Sequence, residues 1–350
     1  MWLFKGLSKE ALGIDLGTSN LVVYAQGQGI VVEEPNLVAV SKRAHGAKEL
    51  IAYGLEAKAM EGKTPMGVSI IHPLRDGVIA NYEMTEAVMR YAIGKVMGKK
   101  SFNSKPDVVV SVPSKVTEVE RRAVIDAALG AGAREAYLID EPIAAAMGAN
   151  LPIREALGSM VVDIGGGISE VAVISLGGIV VTNNIREAGD NMDLAIVNAF
   201  RQRHELVIGE RTAEMVKIEL GSLLPDAMDT MTLEVKGRDT SDGLPKSVMV
   251  TPLEVREALQ PIVTRIEEAI RMTLEETPPE LARDVLEQGI TLTGGAAQLR
   301  GLSEYLSARL GTPVYLAEDP LRAVALGVGY IAEHLEECKS LLTTVRKRVR

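Results

Sequence analysis

The chain contains one cysteine, Cys338, in 350 residues. A single thiol excludes an internal disulfide and any cysteine-based zinc site, and it fits a reducing, cytoplasmic setting. The four histidines are scattered without metal-ligand spacing. Aromatic residues make up only 3%, so the interior of a chain that is 47% hydrophobic must be filled by Val, Ile, Leu, Ala and Met. That composition suits sheets buried between helices. No apolar run reaches the ~18 residues a bilayer span requires. The short apolar start lacks the small-residue cleavage site of a secretory signal. Positive charge is in deficit, with 38 Lys and Arg against 47 Asp and Glu, a net charge of −9. This argues against nucleic acid as a partner.

What the chain does have is a repeat. Gly13-Ile14-Asp15-Leu16-Gly17-Thr18-Ser19-Asn20 leads to Gly29-Ile30-Val31-Val32. Val162-Asp163-Ile164-Gly165-Gly166-Gly167-Ile168-Ser169 leads to Gly178-Ile179-Val180-Val181. The aspartates are 148 positions apart and the Gly-Ile-Val-Val words 149, so one residue of slippage separates the copies. A repeat at nearly half the chain length predicts two similar halves. Each offers one acid and one glycine turn, which points to a nucleotide in a cleft between related domains.

Glycines directly after a strand let successive N–H groups turn toward one point and form an anion nest. Gly17, Thr18, Ser19 and Asn20 are expected to hold one side of a triphosphate, and Gly165, Gly166 and Gly167 the other. Asp15 and Asp163 repel bare phosphate. They make sense around Mg²⁺, approached through its waters. Gly294-Gly295, after the apolar run 290–293, is a third turn of the same kind. Glu141 precedes Pro142 at the predicted start of an Ala-rich helix. It reads either as an acid that orients a water for attack on the terminal phosphate or as a helix-dipole acid. Glu214 and Lys217 share a helix face, and from the residues alone they read as a surface ion pair.

Elsewhere the spacing predicts three strands over 11–40 and small insertions near 41–74 and 229–251. It predicts helices over 83–98, 117–131, 190–203, 211–221, 252–274 and 323–335, and strands over 107–113, 136–139, 160–181, 290–293 and 314–316. Pro278-Pro279 is expected to end its region. The start, Met1-Trp2-Leu3-Phe4-Lys5-Gly6-Leu7, places Trp2, Leu3, Phe4 and Leu7 on one helical arc. It reads either as an interfacial membrane anchor, or as a frayed terminus or a strand edge tucked onto the core. The basic tail 346–350 is equally open between lipid attraction and a solvated end.

These words, in order, resemble the actin/chaperone/sugar-kinase ATPase superfamily: Asp15-Leu16-Gly17-Thr18, Glu141-Pro142-Ile143-Ala144-Ala145-Ala146, Asp163-Ile164-Gly165-Gly166-Gly167 and Leu292-Thr293-Gly294-Gly295. Within it, Arg75-Asp76-Gly77-Val78-Ile79-Ala80, Gly209-Glu210-Arg211-Thr212-Ala213-Glu214 and Thr277-Pro278-Pro279-Glu280-Leu281 are similar to the MreB family of bacterial actins over about residues 11–335. The resemblance implies an α/β, actin-like fold: duplicated RNase H-like domains, two small inserted subdomains and a central nucleotide cleft. Subdomain IA would comprise 1–38, 72–151 and 320–350, IB 39–71, IIA 152–187 and 252–319, and IIB 188–251. It implies ATP and Mg²⁺ as cofactors and weak ATP hydrolysis coupled to polymerisation. Glu141 and Asp163 become the catalytic acids. Glu214 and Lys217 are reassigned to the adenosine, beside the Gly294-Gly295-Ala296-Ala297 turn.

The implied partners are the chain itself, in double protofilaments, the inner face of the cytoplasmic membrane, and RodZ with the cell-wall elongation proteins. The role is to organise wall synthesis and maintain rod shape. Three departures stand out. Ile168-Ser169-Glu170 replaces the usual Thr-Thr-Glu, Ala296 replaces a third glycine, and the loop 99–105 holds only Phe102 as an apolar residue. A small-molecule kinase, a chaperone-type ATPase and a sister cytoskeletal paralogue are the competing readings. The kinase lacks an evident sugar-recognition acid, and about 15 residues after the terminal helix leave no room for a peptide-binding domain.

Overall fold

A computed structural model describes residues 10–42, 48–98, 105–225 and 230–343. The apolar arc of Trp2, Leu3, Phe4 and Leu7, the loop residue Phe102 and the basic tail 346–350 lie outside the described residues. The chain forms two units, Met1–Leu151 with Arg322–Arg350, and Pro152–Leu321.

In the first unit the strands Ala11–Leu16, Asn20–Ala25 and Gly29–Pro35 form an antiparallel meander. Asp107–Val112 pairs in parallel with the other edge of Ala11–Leu16, and Glu135–Asp140 lies in parallel beyond it. In the second unit Ser159–Ile164, Ser169–Ser175 and Gly178–Ile185 form the same meander, followed on the other side by parallel Ile290–Thr293 and Val314–Leu316. Asp107–Val112 and Ser159–Ile164 are buried along their whole length, the pattern of a strand covered on both faces. The five-strand topology is therefore present twice.

The duplication extends to single residues. In the first meander Val23 pairs with Val32 and Tyr24 with Ile30, so Val31 is bulged. In the second, Val173 pairs with Val181 and Ile174 with Ile179, so Val180 is bulged. Each Gly-Ile-Val-Val word thus carries a β-bulge at its first valine. The one-residue slip also has a location. Three residues, 17–19, join the first two strands of the first meander, and four, 165–168, join those of the second.

Each unit carries a small three-stranded sheet in an insertion. The first is built from Val38–Lys42, Lys48–Tyr53 and Val68–Ile71, and the second from Leu206–Val207, Leu233–Asp239 and Pro245–Val250. Thr117 and Glu120 close a reciprocal cap on the helix Glu118–Gly130, and Thr251 and Glu254 do the same for Pro252–Glu276. One expectation is corrected. Pro278-Pro279 does not end the region, because Pro279 is the first residue of a helix, Pro279–Gln288. A proline at that position gives up an N–H that has no intrahelical partner.

Helix Ala323–Glu333 crosses helix Glu141–Gly148 within the first unit, at glycines on both sides. A Cβ on Gly148 would lie 1.8 Å from the Ala323 carbonyl oxygen, and one on Gly327 would lie 1.9 Å from that of Ala144. The backbones touch with no side chain between them. Among the described residues no helix is long and apolar enough to cross a membrane.

Candidate nucleotide site

In the first unit the candidate residues lie at the carboxyl ends of three parallel strands. Asp15 lies near the end of Ala11–Leu16, Ser111 lies on the adjacent strand Asp107–Val112 one residue past the Ile14–Val110 pair, and Glu141 follows Glu135–Asp140 directly. Carboxyl ends of parallel strands are where ligands dock in open α/β sheets. The Ser111 hydroxyl donates to Asp15 Oδ1 at 3.1 Å. Glu141 is buried as the first residue of its helix. The preceding Asp140 accepts from Arg121 Nη2 at 2.7 Å.

The turn 17–19 is braced from behind. Asn36, fully buried, donates its side-chain Nδ2 to the Gly17 carbonyl at 2.7 Å and its backbone N–H to the Ser19 carbonyl at 2.8 Å. The N–H of Gly77 donates to Thr18 Oγ1 at 2.9 Å, which ties the Asp76-Gly77 bend, with φ of 49° and 75°, to the turn. In a trans peptide the C=O and the following N–H point in opposite directions. Anchoring the Gly17 oxygen on Asn36 therefore turns the Thr18 N–H the other way. Asn36→Ala is expected to strip that oxygen of its donor inside the protein, at a cost of about 1–3 kcal/mol. Thermal unfolding reads this as a lower midpoint, and an unchanged midpoint removes Asn36 as the brace.

The second unit repeats the arrangement with different parts. Asp163 lies opposite Thr293 in register, and Thr293 Oγ1 donates to Asp163 Oδ1 at 2.8 Å. Burial pushes the Asp163 carboxyl above its usual range, and the Thr293 hydrogen bond pulls in the opposite direction. The glycine turn is braced by a helix start instead of an asparagine. The N–H of Gly189 donates to the Gly165 carbonyl at 3.1 Å and that of Asp190 to the Gly166 carbonyl at 2.8 Å. By the same peptide geometry, the N–H groups of Gly166 and Gly167 are turned away from that helix.

Gly294, with φ of 87°, packs so that a Cβ would lie 2.3 Å from the Ile164 carbonyl oxygen. Only glycine combines that conformation with that approach. Gly295, Ala296 and Ala297 continue into the 3₁₀ turn Gly295–Gln298. The Ala296 methyl lies 3.5 Å from where a Gly189 Cβ would stand, so it faces the start of the bracing helix. Ser169 donates its hydroxyl to the Glu187 carbonyl at 2.6 Å. It thereby secures the chain just before the bracing helix.

Glu214 and Lys217 lie on helix Glu210–Leu220. Lys217 Nζ bonds the Gly189 carbonyl at 3.0 Å and pairs with Asp193 at 2.9 Å. Burial pushes the Asp193 carboxyl up to about 6, against the pull of Lys217. Lys217 thus ties its helix to the one that braces the glycine turn. Asn36, Ser111, Thr293 and Asp193 were not singled out from the sequence. Among them only Thr293 lay inside a motif.

The family model described as MreB/Mbl protein matches residues 9–340. The chain is 47% identical over 334 residues to the cell shape-determining protein MreB of Escherichia coli (strain K12), covering 95% of this chain and 96% of that protein. It is similar to the crystal structure of MreB 5 of Spiroplasma citri bound to AMPPNP, with a TM-score of 0.89, 34% identity, and 95% and 98% of the two chains covered. It also shares a fold with the MamK double helical filament, with a TM-score of 0.77 at 23% identity over 94% and 98%. At that identity the likeness concerns the fold alone.

Proposed function

Since the chain belongs to the MreB/Mbl family and has its actin-like fold, we propose that it is an ATP-dependent, membrane-associated filament protein that organises cell-wall synthesis and maintains rod shape. The observation that carries this reading is the duplicated hairpin: two braced turns with amides turned outward, each next to an aspartate fixed by a hydroxyl. The nucleotide named in the Spiroplasma structure supports ATP as the ligand here. In this reading the Thr18, Gly166 and Gly167 amides bind the phosphates. Gly294 to Ala297, Glu214 and Lys217 serve the adenosine side.

The residues fit Mg²⁺. Asp15 and Asp163 offer only oxygen donors, and Asp163 is a carboxylate whose burial calls for a compensating charge. Among the described residues no three His, Cys, Asp or Glu side chains gather into a metal cage. A hydrated Mg²⁺ would be held by one or two carboxylates, phosphates and its own waters. Bound there, Mg²⁺ would neutralise charge developing on the phosphates. Glu141 would orient the attacking water, and Asp163 would fix the hydrated cation. Hydrolysis would be slow and would time filament turnover. Self-association, the inner membrane face, and RodZ with the elongation machinery are the proposed partners.

Negative-stain electron microscopy tests the reading. The purified chain with Mg-ATP is expected to form paired straight filaments on an anionic lipid monolayer and not on bare carbon. Dispersed particles on both surfaces, from protein shown separately to bind ATP, would favour a kinase instead.

A further inference from the structure

The two aspartates of the repeat share a feature that neither motif contains. Asp15 receives the hydroxyl of Ser111 at 3.1 Å, and Asp163 receives that of Thr293 at 2.8 Å. Thr293 is the register partner of Asp163 on the adjacent parallel strand, and Ser111 directly follows Val110, the register partner of Ile14, on the strand adjacent to Asp15. Both are buried, at 2% and 0% exposure. They come from segments with no common word: Ser111 sits in an all-valine context, and Thr293 precedes a glycine turn. The same donor type therefore stands at the same sheet position in both halves, although the surrounding sequence has diverged.

A carboxylate at a strand end has two soft torsions, and a hydroxyl in register with it removes one orientation choice. Partners of this kind set the direction of a metal-binding carboxylate. We propose that Ser111 and Thr293 are positioning residues for the cation of the nucleotide complex: each hydroxyl locks one aspartate of the pair in the rotamer that meets hydrated Mg²⁺. The inference rests on the nucleotide–Mg²⁺ reading above. It goes beyond that reading by assigning the metal dependence of binding to two residues outside the phosphate turns.

The test is equilibrium binding of a fluorescent ATP analogue to the full chain, titrated once in EDTA and once across a Mg²⁺ series. The variants are Ser111→Ala, Thr293→Val, which keeps the shape and removes the hydroxyl, and Thr293→Ser, which keeps the hydroxyl. Ser111→Ala and Thr293→Val are each expected to raise the Mg²⁺ concentration for half-maximal enhancement by about 10-fold or more, the scale of lost support to a metal ligand. Affinity in EDTA should change less than about twofold, and Thr293→Ser should restore the unaltered Mg²⁺ response. A purely structural role would weaken binding equally with and without Mg²⁺, and that result overturns the proposal. So does an unchanged Mg²⁺ response in both hydroxyl-free variants. If the unaltered chain binds the analogue with no Mg²⁺ enhancement, it is the underlying nucleotide–Mg²⁺ reading that fails. Should Thr293→Val fail to fold, the Ser111→Ala and Thr293→Ser titrations still decide the matter.

Discussion

Glu141→Gln is expected to bind ATP as tightly as the unaltered chain and to hydrolyse it at least about 100-fold more slowly, the usual scale for losing a positioned acid–base group. The substitution keeps size and hydrogen-bonding shape while removing the charge that would polarise the water. The placement of Glu141 supports the expectation. It is buried as the first residue of a helix, immediately after a strand whose neighbour carries Ser111 and, through it, Asp15. Arg121 holds the preceding Asp140 at 2.7 Å, which fixes the backbone from which Glu141 projects. If Glu141 were only a helix-dipole acid, the same change would cost about 0.3–1 kcal/mol of stability and leave turnover intact. Phosphate release measured in single-turnover conditions separates the two. An unaltered rate in Glu141→Gln would end the assignment of this residue to hydrolysis. Filaments of the variant should form and persist, since the proposed timer is stopped.

The second large effect is on stability. Gly327→Ala is expected to destabilise the first unit by about 3 kcal/mol, the upper end of the cost of overpacking. A drop of roughly 6–12 °C in the unfolding midpoint would follow for a unit of this size. The new Cβ would stand 1.9 Å from the Ala144 carbonyl oxygen and 2.6 Å from its carbon. Both are backbone atoms of a buried helix, so no side chain can swing aside. Gly148→Ala meets the Ala323 carbonyl oxygen at 1.8 Å and should behave alike. Gly94→Ala is the control. It lies within helix Tyr82–Met97 with nothing within 4 Å of its added Cβ, so it should be neutral or stabilise by about 0.4–1 kcal/mol. If Gly327→Ala and Gly94→Ala melt together, the helices are not in backbone contact. Because Glu141 begins the helix that ends at Gly148, Gly327 variants that still fold should also hydrolyse ATP more slowly.

Much of the fold was legible because the sequence repeats itself. The spacing of Asp15 and Asp163 anticipated two related sheets, and the Gly-Ile-Val-Val words mark matching bulges at Val31 and Val180. The Thr117 and Thr251 caps each complete their chemistry within four residues. What was not readable depends on distant pairing. Nothing near Ser111 announces that it meets Asp15, because the contact exists only once two strands 96 positions apart adopt one register. Asn36 lies in no motif, yet it is the fully buried brace of another turn. Lys217 was matched to Glu214 by helical spacing, while the structure pairs it with Asp193 on a neighbouring helix. The double proline misled because a helix stop and a helix start use the same residue.

The single residue by which the two turns differ, three between strands at 17–19 and four at 165–168, also gives the repeat a direction. With one turn longer, and with one backed by an asparagine and the other by a helix start, the two copies are no longer interchangeable. A word repeated in the sequence has in this way become two distinct structures.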